Sequence, residues 1–163
     1  MTIKKEDFLN ILANYQGILH KVGLVYFKNK SDRDENFQEI IYQLWKSFSS
    51  IKNHESIGSW IYAVSINTSI SRIKQNSRLI LSSQTPEIPD KNNIIEDITM
   101  NESLQLLLSA IHELNAIDKS IMLLYLEEKS YQEISEIIGI SKSNVGVRIN
   151  RAKKSLKKNL INY

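Results

Sequence analysis

Cysteine is absent from this chain of 163 residues, and only 2 prolines and 5 glycines interrupt it. The first absence excludes a disulfide framework, a thiolate metal site and a cysteine nucleophile. The scarcity of breakers leaves long helices free to form and makes an all-α fold the default expectation. No apolar run is long enough to cross a bilayer, and Met1-Thr-Ile-Lys-Lys5 leads into a polar helix rather than a secretory signal. A cytoplasmic protein without membrane insertion is expected. The 3 histidines are scattered, no glycine-rich phosphate loop exists, and most carboxylates fall on expected helix caps or solvated faces. No catalytic residue, cofactor or metal site is therefore expected, and His54 has no second histidine or acid at ligand spacing.

What is present is ordinary in bulk and informative in distribution. The chain is 42% hydrophobic and 24% charged, with a net charge of +3. Residues 1–78 carry 11 basic and 7 acidic side chains, residues 79–97 carry 1 and 4, and residues 98–163 carry 9 and 7. Two basic parts thus flank an acidic connector, a layout suited to two DNA-contacting modules. Both prolines lie in the stretch Arg78 to Asn93, which is rich in Asn, Ser and Asp and has no helical periodicity. It reads as a linker. The expected division is residues 1–78, a linker over 79–97, and residues 98–163.

Apolar residues at three- and four-residue steps predict the helices. Phe8, Ile11, Leu12, Tyr15, Ile18, Leu19, Val22 and Val25 mark one helix from about Lys5 to Phe27. Ser31-Asp32 is expected to cap a second helix, whose buried stripe is Phe37, Ile40, Ile41, Leu44, Trp45 and Phe48. A polar stretch, Ser49 to Glu55, leads to a third helix ending near Arg78, with Ile57, Trp60, Ile61, Val64, Asn67 or Thr68, and Ile73 facing inward. In the second part, helices are expected over Ile95–Leu114 and Ile117–Glu127. Ser130-Tyr-Gln-Glu133 forms a capping box that opens a short helix from Tyr131 to Ile138. Gly139 supplies the left-handed residue that ends it, and Ser141 caps a last helix to about Leu160.

A short helix, a tight glycine turn and a longer helix form a helix-turn-helix signature. Val145, Ile149, Ala152, Leu156 and Leu160 make the packing stripe of the longer helix. The same helix bears Lys142, Arg148, Arg151, Lys153, Lys154, Lys157 and Lys158, with no acid after Lys142. Such a set repels itself unless a polyanion neutralises it. Ser143, Asn144, Val147, Arg148 and Arg151 are placed to meet a major groove, and the lysines further along to meet phosphates.

Two motifs at this point resemble a known family. Tyr131-Gln-Glu-Ile-Ser-Glu-Ile-Ile-Gly-Ile-Ser-Lys-Ser-Asn-Val-Gly-Val-Arg-Ile-Asn-Arg-Ala152 is similar to region four of bacterial RNA polymerase sigma factors of the sigma-70 family. Independently, Asp34-Glu-Asn-Phe-Gln-Glu-Ile-Ile-Tyr-Gln-Leu-Trp45 and Ser59-Trp-Ile-Tyr-Ala-Val-Ser-Ile-Asn67 resemble region two. The match spans nearly the whole chain apart from the linker, and only these two regions are represented. That pattern resembles the extracytoplasmic-function (ECF) group.

The resemblance implies two small helical domains joined by a flexible linker: region two over residues 1–78 and region four over 98–163. It implies a transcription initiation factor, not an enzyme, whose partners are core RNA polymerase (largest-subunit clamp helices, and the flap) and promoter DNA. It also leaves room for an anti-sigma factor. By motif position Glu35, Gln38 and Glu39 would meet polymerase; Trp45 would support them, although as a tryptophan on an apolar stripe it reads first as core. Lys52, Asn53, His54, Trp60, Asn67, Arg72 and Lys74 would surround the melted −10 element, with Asn67 equally readable as an interior polar residue. Lys142, Ser143, Asn144, Val147, Arg148, Arg151 and Lys154 would read the −35 element. The sequence departs from the family pattern at Gly146 and Val147, which stand for a usual Lys and Ser, and at Ala63, Ile66 and Ser71, which stand for Arg, Arg and Asp. The competing reading is a stand-alone helix-turn-helix regulator whose N-terminal helices dimerise or sense a ligand.

Overall fold

A computed structural model describes residues 5–51, 56–83 and 101–161. Among the described residues the elements are all helical, joined by short turns, with no strand: α1 (Lys5–Tyr26), α2 (Lys30–Ser47), a 3-10 turn (Phe48–Ser50), α3 (Ile57–Ser83), α4 (Glu102–His112), α5 (Ala116–Leu126), α6 (Tyr131–Ile138) and α7 (Lys142–Ile161). The chain divides into two compact units, Met1–Gly23 with Phe27–Asp97, and Leu24–Tyr26 with Ile98–Tyr163.

In the first unit, Phe8 and Leu19 from α1, Ile40 and Leu44 from α2, Phe48 from the 3-10 turn and Ile61 from α3 form the core. Rings pack edge to face, as electrostatics of the aromatic quadrupole favours: Phe8 lies 5.0 Å from Trp45 and 5.4 Å from Phe48. The α2 N-cap is Asn29, not Ser31-Asp32. Its Oδ1 accepts from the Asp32 backbone N at 2.8 Å, and its Nδ2 donates to the Asp32 carboxylate at 2.8 Å. Asp32 thus sits in the first turn, where the helix dipole favours an acid. A polar seam runs between α2 and α3. Fully buried Asn36 donates to Ser69 Oγ at 2.9 Å, and Ser69 donates to the Ser65 carbonyl at 2.7 Å.

The third helix continues five residues past Arg78, through Leu79, Ile80 and Leu81. The linker signal was assigned too early there, because no breaker occurs before Pro86. The rest of the expected linker, and Ile95–Met100 at the expected start of the next helix, lie outside the described residues.

In the second unit, side-chain caps open each helix. Asn101 Oδ1 accepts from Leu104 N at 2.8 Å, and Asn115 Oδ1 accepts from Asp118 N at 2.9 Å. Ser130 Oγ accepts from Glu133 N at 3.1 Å, and Ser141 Oγ from Asn144 N at 3.1 Å. Glu133 turns its own carboxylate toward Lys129 Nζ at 4.0 Å. Gly139 takes φ 82°, and its N–H reaches the Ser135 carbonyl at 2.9 Å, closing α6 as expected. After α5 the same left-handed geometry falls on a residue with a side chain, Glu128 at φ 62°. Val145, Ile149, Ala152 and Leu156 are buried along α7, against Ile134 and Ile137 of α6 and Ile121 to Leu124 of α5.

Candidate functional site

The second unit presents its last helix outward. At about 100° per residue, the buried stripe of α7 puts Ser143, Val147, Asn150, Arg151, Lys154 and Lys158 on the opposite arc. All of these are exposed, as are Lys142 and Asn144 at the helix start. A single outward arc therefore carries a hydroxyl, an amide, an apolar branch and several cations. The hydroxyl, the amide and the branch can meet base edges, and the cations can meet phosphates. Asn150 was missed in the sequence, although the wheel angle alone separates it from the packing stripe.

Arg148 behaves differently. It lies at the flank of the arc, and its guanidinium turns inward to donate to Asp118 Oδ1 at 2.9 Å. The two side chains are only 28% and 16% exposed. The other Asp118 oxygen accepts from Asn115 Nδ2 at 2.9 Å, so the carboxylate ties the start of α5 to α7. In this conformation Arg148 is a strut rather than a group offered to a base. Lys153 is likewise drawn toward α5, with its Nζ 4.4 Å from the Tyr125 ring centroid. A hydrogen bond with Tyr125 raises its pKa above the ordinary lysine value.

Gly146 sits beside Tyr131. A Cβ there would meet the Tyr131 ring at 3.5 Å, an ordinary contact, so packing does not require glycine. Its absence of side chain leaves the α7 surface low next to exposed Val147.

Two concave surfaces of the first unit, formed by described residues, bear on its function. A polar cleft of about 680 Å³ between α2 and α3 is lined by Glu39, Gln43, Ser47, Val64, Asn67, Thr68, Ser71, Arg72 and Gln75. Asn67 is exposed in this cleft, which removes the reading of it as an interior polar residue. Glu39 accepts from Gln43 Nε2 at 3.0 Å on the opposite wall. Arg72 pairs with Glu35. The cleft thus joins residues expected to serve polymerase (Glu39, with Glu35 at its edge) to residues expected to serve DNA (Asn67, Arg72). Lys74 is exposed next to Gln75 of the cleft wall, and Trp60 is half-buried with its ring 6.4 Å from Phe48. Lys52, Asn53 and His54 lie outside the described residues. Of the positions that depart from the family pattern, Ser71 lines the cleft, Ala63 is half-buried and Ile66 is buried.

The second surface is apolar. Phe8, Leu9, Gln38, Ile41, Tyr42 and Trp45, with Lys5, line a groove of about 360 Å³ between α1 and α2. Trp45 is 48% exposed and Tyr42 55% exposed, so the expectation that Trp45 is a core residue is corrected. One edge of its ring packs on Phe8, and the rest faces outward. Gln38 belongs to this groove, whereas Glu35 and Glu39 belong to the cleft side of α2. The three residues expected to meet polymerase together therefore occupy two faces of one helix. The apolar stripe hid this, because Trp45 continues it at helical spacing while stepping to its margin.

No helix among the described residues is long and apolar enough to cross a membrane. No group of three metal-ligating side chains occurs among them either.

Comparison with known proteins bears on what these surfaces do. The family described as Sigma-70, region 4 matches residues 104–156, which span α4 to α7. The chain is 26% identical over 155 residues to RNA polymerase sigma factor SigV of Bacillus subtilis, covering 94% of this chain and 90% of that protein. It is 25% identical over 173 residues to the ECF RNA polymerase sigma factor SigW of the same organism, covering 97% and 92%. A third relative there, RNA polymerase sigma factor YlaC, is 28% identical and covers 76% of this chain and 74% of its own length. The sigma factor RpoE of Bartonella quintana, solved in complex with the anti-sigma factor NepR, has the same fold at a TM-score of 0.77, with 17% identity over 95% of this chain and 97% of that one. The helix-turn-helix thus matches sigma-70 region 4, and the chain is similar along nearly its full length to RNA polymerase sigma factors, one of them of the ECF group.

Proposed function

We propose that this chain binds core RNA polymerase and directs it to particular promoters by a division of labour among the three surfaces. The groove between α1 and α2, with Gln38, Tyr42 and Trp45, docks on polymerase, helped by Glu35 and Glu39 on the adjoining face. The cleft side of α3, with Asn67, Arg72 and Lys74, meets the opened −10 element together with Trp60, Lys52, Asn53 and His54. The outward arc of α7 reads the −35 element through Lys142, Ser143, Asn144, Val147, Asn150, Arg151 and Lys154. Arg148 holds that helix in place. Residues 1–78 act as region two and residues 98–163 as region four. The chain contributes no catalysis of its own and works in the cytoplasm, where polymerase and promoter are. An anti-sigma partner, such as the Bartonella protein has, is a further expectation for it.

The observation that carries this reading is the coexistence of an acid-free basic helix with a half-exposed tryptophan groove on a separate unit. Reading DNA needs the first; the second suits a reader that must also grip a protein. Full-length alignment with sigma factors sets aside the stand-alone regulator. Reconstitution of the chain with core polymerase, followed by mapping of transcript 5′ ends, tests the proposal. Discrete start sites that core polymerase alone does not produce are expected. Tight binding of the isolated chain to a palindromic site as a dimer, with no effect on polymerase, would refute it.

A further inference from the structure

Glu35 and Arg72 are 37 residues apart in sequence, and the fold brings them into one ion pair. One was assigned above to polymerase and the other to DNA, so each occupies the other's binding group. We infer that this pair is a lock between the two sites of the first unit. While Glu35 holds the guanidinium, Arg72 is withheld from DNA phosphate, and a polymerase surface that takes Glu35 releases it. The inference rests on the site assignments proposed above.

Three features allow the pair to open. The Glu35 side chain is 59% exposed, so a partner can reach it without unfolding anything, whereas Arg72 is only 22% exposed and is held in the cleft wall. The Arg72 Nε is buried without an acceptor among the described residues, so its present site leaves the guanidinium incompletely satisfied. A phosphate oxygen entering the cleft offers a stronger acceptor than an exposed carboxylate already solvated by water. Finally, a neutralised arginine adds no net charge for a polyanion to find, and the neighbouring carboxylate repels one. Binding at either site thus favours binding at the other, and thermodynamic linkage makes the effect reciprocal.

The test uses the full chain, with and without core polymerase, and a fluorescein-labelled 12-mer of thymidylate as a sequence-neutral probe of backbone contacts. Glu35→Gln, which keeps shape and removes charge, is expected to bind the 12-mer about fivefold more tightly at 0.1 M salt. Its salt dependence should steepen by about 0.7, one additional phosphate contact on a single strand, which across one decade of salt is that fivefold. Glu35→Asp, too short to hold the guanidinium as well, should move both quantities in the same direction. The gain should vanish in Arg72→Gln, and adding core polymerase should enhance binding less in Glu35→Gln than in the unaltered chain. Unchanged or weaker binding by Glu35→Gln, with binding weakened by Arg72→Gln, would overturn the lock while leaving Arg72 as a DNA contact. If Arg72→Gln has no effect either, the lock falls together with that one assignment. Polymerase-dependent transcription from mapped promoters would then still stand, so failure of the lock and failure of the proposed function are separable.

Discussion

Removing the Arg148 guanidinium should cost stability in the second unit and leave base preference at the −35 element intact. The magnitude follows from where the pair lies. Exposed ion pairs contribute about 0.2–1 kcal/mol, whereas breaking a buried pair costs about 3–5 kcal/mol because a charge is left stranded. Side chains that are 28% and 16% exposed fall between these limits, and water can reach what is left behind. Arg148→Ala should therefore destabilise by about 1–2 kcal/mol. Asp118→Ala should cost somewhat more, since it also strips Asn115 of the partner that holds its capping side chain. In a double-mutant cycle the two changes should couple by about 1 kcal/mol. Both tryptophans lie in the first unit, so their fluorescence is blind to this change. Native-state hydrogen exchange at buried Leu123 and Ile149 reports on it directly. A coupling below about 0.3 kcal/mol, together with loss of discrimination at one −35 base pair in Arg148→Ala, would refute the strut and return Arg148 to the groove.

Three further outcomes are expected. Trp45→Ala should weaken the complex with core polymerase by about 2 kcal/mol or more, roughly thirtyfold, as removal of a central aromatic anchor does; titration of labelled core polymerase measures it, and a loss under threefold would show the groove to be idle. Gly146→Ala should stabilise the second unit by about 0.5–1 kcal/mol, because the new methyl meets Tyr131 at an ordinary 3.5 Å and helix propensity then decides the sign; a thermal midpoint raised by several degrees is the expected reading in the melt of that unit. Asn150→Ala should cost about 1–3 kcal/mol at a single base pair, whereas Lys154→Ala should weaken all −35 sequences alike and reduce the salt slope by about 0.9 on duplex DNA; identical profiles for the two variants would mean that the outward arc is assigned wrongly.

The helices themselves were legible because period and punctuation agree along this chain. Ser130, Gly139 and Ser141 each meet a rule that needs only local backbone chemistry, and the structure shows each in its expected cap or turn. Errors arose where two residues of the same type competed or where a side chain's direction mattered. Asn29, Ser31 and Asp32 are all capping residues, and only the backbone shows that the extended conformation falls at Asn29, with φ −96° and ψ 150°. Trp45 extends the apolar stripe of α2, and a stripe cannot say which of its members lies at the margin. Charge marks Arg148 for a groove, whereas its wheel angle puts it at the flank of the outward arc. Asp118, which captures it, lies 30 residues away, beyond any local pattern. The Glu35–Arg72 pair escaped for the same reason.

The polar seam between α2 and α3 explains why the first unit can hold such pairs in register. Asn36 Oδ1 and Ser65 Oγ are buried without partners among the described residues, which costs stability relative to an apolar interface. Leucines in their place would let the helices slide, since ridges and grooves repeat along a helix and tolerate more than one offset. A 2.9 Å hydrogen bond from Asn36 to Ser69 does not. The next such offset lies about one turn away, roughly 5.4 Å along the axis, which is enough to break that bond. Asn36 lies one turn from Glu39, and Ser69 lies one turn from Arg72. The seam therefore fixes the offset that sets Glu39 across the cleft from Asn67 and Glu35 beside Arg72. Stability given up in the interior is recovered as geometry at the cleft, where the polymerase and DNA contacts proposed above would share one pair of helices.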